Sequence, residues 1–284
     1  MSVDNLKRLQ AIDIIARENV KVFLDTQDRI QEEEELHRLV RESIEGQYVN
    51  QDGAFEQQEK DGSHRFSSAA KVTVSDKRTL EAAGAYAGQK VCILNFANAF
   101  HAGGGVKSGA TAQEESLCRI STLYANLTDK AMQDAYYRRH EAICMDYFGN
   151  DDCIFSPKVC VIKTDTEKPE LLDPKDRYFV DVITCAAPDL RGVSKRALNS
   201  DRILKLYKKR IRAILETARK EGEDVLILGA FGCGAFQNDP GIVAEAFRDV
   251  LADYQYDFSV IEFAIFSEGR EDGNIAPFKA AFEE

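Results

Sequence analysis

"KVCILNFANAFHAGGGVKSGATAQEESLCRISTLYANL", residues 90–127, passes from an almost continuous apolar run through three consecutive glycines into a segment headed by Gln113-Glu114-Glu115. The apolar run reads as a strand buried on both faces, and "EESLCRISTLYANL" (114–127) reads as an amphipathic helix. Strand, glycine loop and helix in that order are the unit of an α/β sheet, whose ligands sit beyond the carboxyl ends of the strands. Glycine loses more backbone freedom on folding than any other residue, and adjacent carboxylates repel. A chain that keeps both together uses the stretch for something other than stability.

The same texture extends outward. "KVTV" (71–74), "VCVIKT" (159–164), "YFVDVITCAA" (178–187), "DVLILGAF" (224–231) and "FSVIEFAIFS" (258–267) read as further strands. Between them, "DKRTLEAAGAYA" (76–87), "SDRILKLYKKRIRAILETARKEG" (200–222) and "DPGIVAEAFRDVLADY" (239–254) read as helices. Ser200 is a candidate cap for the second, and Asp239-Pro240 places a capping acid before a proline at the first helical position of the third. The spacing predicts one α/β/α sandwich over residues 71–284. Residues 1–70 read as a helical extension packed on that domain. It comprises "LQAIDIIARENVKVFL" (9–24), "DRIQEEEELHRLVRESIEG" (28–46) and an irregular polar connection over 47–70.

The formal net charge of −11 argues against salt-dependent binding to a nucleic-acid backbone, and the basic stretch "LKLYKKRIR" (204–212) reads as the wet face of a helix. No apolar run approaches the ~20 residues of a membrane span. The seven cysteines include no C-x-x-C pair, and Cys92, Cys160 and Cys185 lie within apolar runs, which indicates reduced thiols in a cytoplasmic protein. The four histidines lack metal-ligand spacing, so no metal or cofactor is expected.

A second glycine loop, "GAFGCGAFQNDP" (229–240), follows another strand. Neither loop has the Gly-Lys-Ser/Thr of a triphosphate site or the dinucleotide fingerprint with its downstream acid. Two nests of backbone N–H groups at equivalent strand ends suit a diphosphate held between them. On a helix, Glu114 and Glu115 point about 100° apart, so they are expected to do different jobs rather than flank one bond. A helix N-terminus favours the carboxylate, whereas burial and a neighbouring acid favour the protonated form.

GGG, the seven-residue spacer VKSGATA and QEE together resemble the signature of poly(ADP-ribose) glycohydrolases. "LNFANA" (94–99), "DVITCAAPDLRG" (181–192) and "GAFGCGAFQNDP" are similar to blocks of the compact bacterial branch. The resemblance implies a macrodomain, with a mixed sheet between helical layers, and hydrolysis of ribose–ribose O-glycosidic bonds. It implies Glu115 as catalytic acid/base and Glu114 as holder of a ribose hydroxyl. Asn98, which stands where the branch often has serine, would contact substrate together with Gly103, Gly104, Gly105, Val106 and Gln113. Gly232, Cys233, Gly234 and Ala235 would bind the diphosphate through backbone amides, and Phe236 would pack near the distal ribose. Poly(ADP-ribose) or ADP-ribosylated protein is the implied substrate, and ADP-ribose the product. Two other readings remain open on the same site: a mono-ADP-ribosyl-protein hydrolase and a non-catalytic ADP-ribose-binding module. His101, Phe266 and Phe278 are weighed as further ligand contacts against loop packing or core, and Asp181 is left unassigned.

Overall fold

The computed structural model describes residues 3–51, 65–143, 148–194, 198–267 and 273–283. Most of the expected 47–70 connection lies outside them, as do His64 and Cys144.

Seven strands form one mixed sheet: β1 (Tyr48–Asn50), β2 (Lys71–Ser75), β3 (Val91–Ala97), β4 (Cys153–Val161), β5 (Tyr178–Ala186), β6 (Val225–Leu228) and β7 (Val260–Ala264). Their order is β1-β4-β5-β3-β6-β7-β2. The β5-β3-β6-β7-β2 block is parallel, and β4 and β1 extend it antiparallel at one edge. The expected strands are all present. β1 is an addition, because three residues inside a polar stretch carry no period that could reveal a strand. β4 begins at Cys153, ahead of the apolar run read from 159. Its two halves are separated by a register shift between Ser156 and Val159, with Lys158 at φ 51°, so Pro157-Lys158 is a bulge inside the strand rather than its boundary.

Ten helices are described: α1 (Val3–Glu32), α2 (Glu34–Gly46), α3 (Thr79–Gly84), α4 (Gln113–Ile120), α5 (Leu123–Thr128), α6 (Lys130–Met132), α7 (Arg138–Ile143), α8 (Ser200–Glu221), α9 (Pro240–Leu251) and α10 (Ile275–Phe282). A π-helical turn, Gln133–Tyr137, joins α6 to α7 and turns the adjacent Tyr136 and Tyr137 both inward. Two consecutive buried residues break the 3.6-residue period, which explains why this segment is not legible as a helix. The expected 114–127 helix is divided at Ser121-Thr122. There Thr122 N donates to Cys160 O and Cys160 N to Thr122 Oγ1, each at 3.0 Å, so pairing with β4 overrides helix continuation. Asn199, one residue before the expected Ser200, caps α8 by accepting from Arg202 N. Asp239 caps α9 as expected.

Two apolar clusters cover the two faces of the sheet. One gathers α8, α9 and α10 over β5, β6 and β7; the other gathers α3, α4, α5 and the tyrosine turn over β3, β4 and β5. The basic run in α8 is not entirely a wet face. Arg210 is fully buried and donates to Asp151 Oδ1, Ala186 O and Phe148 O, pinning the carboxyl end of β5. The six described cysteines are buried free thiols. Among the described residues, no helix is long and apolar enough to cross a membrane.

Candidate active site

A cleft of about 430 Å³ opens at the carboxyl ends of β3, β6, β7 and β2. One wall is the first turn of α4, and the opposite wall is the 229–239 loop leading to α9. This is the place where helix N-termini and strand ends meet in an open α/β sheet.

Gln113 fixes α4 to the sheet. Its Oε1 accepts from Phe96 N at 2.8 Å, and its Nε2 donates to Leu94 O at 2.7 Å and Thr79 Oγ1 at 3.2 Å. Every polar atom of that side chain is engaged within the protein, so Gln113 lines the cleft as a staple rather than as a free donor. Asn98 is occupied in part. Its Oδ1 accepts from Phe100 N and His101 N, folding the start of the loop, while its own N–H donates to Glu114 Oε2 at 2.8 Å.

The glycine loop wraps the two acids. Gly103 N donates to Glu114 Oε1 at 3.2 Å and Gly105 N to Glu115 Oε1 at 2.8 Å, while Gly104 N is used on His101 O. The amides of this first nest are thus used on the protein's own acidic side chains. Val106 is buried behind the loop, and its N–H donates to Gly103 O.

Glu114 and Glu115 are both buried. Although helical neighbours diverge by about 100°, both carboxyl groups converge on Gly104. A Cβ there would meet Glu115 Oε1 at 2.4 Å and Glu114 Oε2 at 3.2 Å. In a helix's first turn, side chains lean back past the N-terminus, so adjacent residues can reach the same preceding loop. Burial pushes the Glu114 carboxyl up to about 8 against the hydrogen bonds from Asn98 and Gly103, and the neighbouring Glu115 adds to the rise. Glu114 is therefore protonated near neutral pH, which lets it lie beside a second carboxyl without like-charge repulsion. Glu115 Oε2 is buried without a hydrogen-bond partner among the described residues.

On the opposite wall, Gly232, Gly234, Ala235 and Phe236 line the cleft. Cys233 does not. Its N–H donates to Ala230 O at 3.0 Å and its thiol points inward, so its amide closes the turn. Among the described residues, the amides of Gly234, Ala235 and Phe236 donate no hydrogen bond within the protein. Asn238 holds this loop by donating to Pro188 O and Gly232 O.

His101 is exposed and builds the loop, and Phe278 is core against Phe247 and Phe263. Phe266 lines the cleft with one face covered by the Arg78 guanidinium, 4.1 Å from the ring centroid. Asp181 accepts from Lys158 N within the sheet. Sequence reasoning missed Arg78, Asp165, Arg191 and Asn95. Asn95 is fully buried and donates to Thr184 Oγ1 at 3.2 Å, with Glu114 Oε1 at 3.5 Å. A polar residue inside a nearly continuous apolar strand was the available signal for it. Arg78 heads the expected 76–87 helix and Arg191 lies in the 181–192 block, but neither pattern marks a cleft residue, and Asp165 follows β4 in a segment without motif or period.

The family model for the microbial-type PARG catalytic domain matches residues 9–164, which carry α1 through β4 and both glutamates. The chain belongs to this family. It is a poly(ADP-ribose) glycohydrolase, an O-glycosyl hydrolase, of the microbial PARG type. Among similar solved structures is the poly(ADP-ribose) glycohydrolase of Thermomonospora curvata, 28% identical, covering 94% of this chain and 100% of that one at a TM-score of 0.80. The T. curvata enzyme bound to the inhibitor ADP-HPD is 29% identical over the same shares, at 0.79. The Deinococcus radiodurans PARG in complex with ADP-ribose is 28% identical, covering 86% of this chain and 96% of that one at 0.74. No curated protein matches. The seven-stranded sheet between helical layers is the macrodomain-like layout of these PARG structures.

Proposed function

We propose that the chain releases ADP-ribose from poly(ADP-ribose), with Glu115 as acid/base and Glu114 as the group that positions the reacting ribose. The observation that carries this is the environment of Glu115. One carboxyl oxygen is held by Gly105 N–H, and the other is buried, unpartnered and set at the end of a cleft. In the proposed reaction, Glu115 gives its proton to the bridging oxygen as the C–O bond at the anomeric carbon breaks. The electron pair of that bond leaves on the departing ribose hydroxyl, and an oxocarbenium-like centre forms. The substrate's own diphosphate, cradled by the free amides of Gly234, Ala235 and Phe236, offsets the cation. The Glu115 carboxylate then takes a proton from water as its oxygen bonds to the anomeric carbon, restoring the acid. Most glycosidases use two carboxyl groups for these tasks; here the phosphates supply the second negative group. The protonated Glu114 donates to or accepts from a ribose hydroxyl and fixes the ring against Glu115.

The D. radiodurans relative is in complex with ADP-ribose, the proposed product, which supports the same ligand here. Six buried free thiols fit a reducing, cytoplasmic compartment, and the net charge of −11 fits a protein that does not bind nucleic acid directly. Incubation with labelled poly- and mono-ADP-ribosylated protein, wild type beside Glu115→Gln, tests the proposal. Polymer should be lost to ADP-ribose with the wild type only, while Glu115→Gln retains ADP-ribose binding. Polymer hydrolysis by Glu115→Gln at the parent rate would overturn the assignment. Loss of only the mono-ADP-ribose mark, or binding without release, would replace it with one of the two alternative readings.

A further inference from the structure

Behind the cleft, the catalytic loop and α4 rest on the N-terminal helix α1. Gly109, at φ +79°, lies so close to α1 that a Cβ would stand 2.1 Å from Ala16 O, and Asn19 Nδ2 donates to Gly109 O at 3.0 Å. Two turns further along α1, the fully buried Thr26 donates through Oγ1 to Arg119 O at 2.5 Å. Phe23 packs edge-on to Tyr124, with ring centroids 4.9 Å apart.

Arg119 stands at the centre of this arrangement. It follows Glu115 by four residues on α4, so the two share a helix face. Arg119 is buried, and its guanidinium donates to Ala110 O at 2.5 Å and to Ser116 Oγ at 2.9 Å. Ala110 N in turn donates to Gly105 O at 3.2 Å, and Gly105 N holds Glu115 Oε1 at 2.8 Å. The contacts close a ring that runs Glu115, Gly105, Ala110, Arg119 and back along α4 to Glu115.

We infer that Arg119, braced from behind by Thr26 of α1, is a positioning residue that fixes the glycine loop and thereby the Glu115 carboxyl for proton transfer. Its charge also faces Glu115 from within the fold. The other charged groups that act on Arg119 are Asp165 and Arg78, and Asp25 of α1 is already tied to Lys163 and Arg29. Arg119 does not line the cleft, so it acts on the reaction through Glu115 and the loop rather than on substrate. The inference rests on the acid/base reading of Glu115.

The test is steady-state hydrolysis of labelled poly(ADP-ribose), with ADP-ribose affinity by calorimetry, on full-length Arg119→Gln, Arg119→Lys and Thr26→Val beside the parent and Glu115→Gln. A displaced proton donor lowers kcat while binding energy away from the reacting bond survives. Arg119→Gln should lose roughly 30-fold or more in kcat, with ADP-ribose Kd within about threefold of the parent. Arg119→Lys, which keeps the charge but loses the fork, should recover part of that loss. Thr26→Val should lose kcat severalfold with the same unchanged Kd. Parent-like kcat in Arg119→Gln overturns the inference, as does a parallel loss of kcat, affinity and thermal stability, the mark of a purely structural residue. Should Arg119→Gln fail to fold, parent-like kcat in both Arg119→Lys and Thr26→Val overturns it equally. Hydrolysis by Glu115→Gln would instead remove the acid/base reading on which it rests.

Discussion

At Gly104 the backbone is left-handed, with φ +54°, and the position of a Cβ is already claimed by the Glu115 and Glu114 carboxyl oxygens. An alanine there must displace the carboxylates or distort the loop, since neither a side chain held by Gly105 N–H nor a buried neighbour can yield cheaply. Gly104→Ala should therefore lose polymer hydrolysis by roughly two orders of magnitude, the scale associated with misplacing a reacting group by about 1 Å. Its circular dichroism spectrum should remain that of the parent. Near-parent activity would show that the loop relaxes around the methyl. Beside it, Glu114 makes a second prediction. Its carboxyl titrates near 8, so above that pH it adds a negative charge next to Glu115 and a diphosphate ligand. ADP-ribose Kd, measured from pH 6 to 9.5, should rise on the alkaline side of about 8. In Glu114→Gln that limb should disappear. The same limb in both proteins would assign the titration to another group.

Among the elements, the union of β3 with α4 carries most of the site, and Gln113 makes it. Removing its amide leaves Phe96 N–H and Leu94 O at the end of β3 without their partner. An unsatisfied buried backbone group costs about 1–3 kcal/mol. Gln113→Ala should accordingly lower the thermal midpoint by several degrees and also weaken activity, since α4 carries both acids. Unchanged melting and unchanged turnover would mean that water replaces the amide without loss. The Gln113 contacts also mark how far the sequence could be read. The strand–glycine–helix order placed the cleft, and the GGG-to-QEE spacing singled out both acids. The direction in which each polar atom is used was not visible. Gly103 and Gly105 carry amides suited to an anion, but whether that anion is a ligand or a side chain eleven or ten residues later depends on the loop's return path. Cys233 fails for a similar reason, because closing a turn consumes its N–H. β1 and the Tyr136-Tyr137 turn escaped because neither carries a period, and Arg210 was misread because charge alone does not reveal a buried partner such as Asp151.

Across the whole molecule, two buried acids oppose stability from opposite ends of the sheet. Glu114 lies at the carboxyl ends of the parallel strands. Glu223 precedes β6 at the amino end, fully buried, where burial pushes it up to about 9, with the neighbouring Asp181 adding to the rise and Lys90 only 3.8 Å away opposing it. Both groups bind a proton more tightly in the folded chain than in the unfolded one, whose glutamates titrate near 4.3. Below that value both states hold the proton and the groups do not bear on stability. As pH rises toward 8 for Glu114 and toward 9 for Glu223, the unfolded chain releases protons that the folded chain keeps, so folding free energy declines. The proposed positioning role of Glu114 accounts for its cost, whereas Glu223 does not line the cleft. Glu223→Gln preserves the shape and supplies a permanent N–H donor in place of the ionisable proton. Its thermal midpoint should match the parent near pH 5 and exceed it near pH 8 by several degrees, at about 2–4 °C per kcal/mol for a chain of this size class. Turnover of poly(ADP-ribose) at pH 7 should be unchanged. A midpoint that falls at pH 8 would show that Glu223 is ionised in the folded chain and that Lys90 is its effective partner.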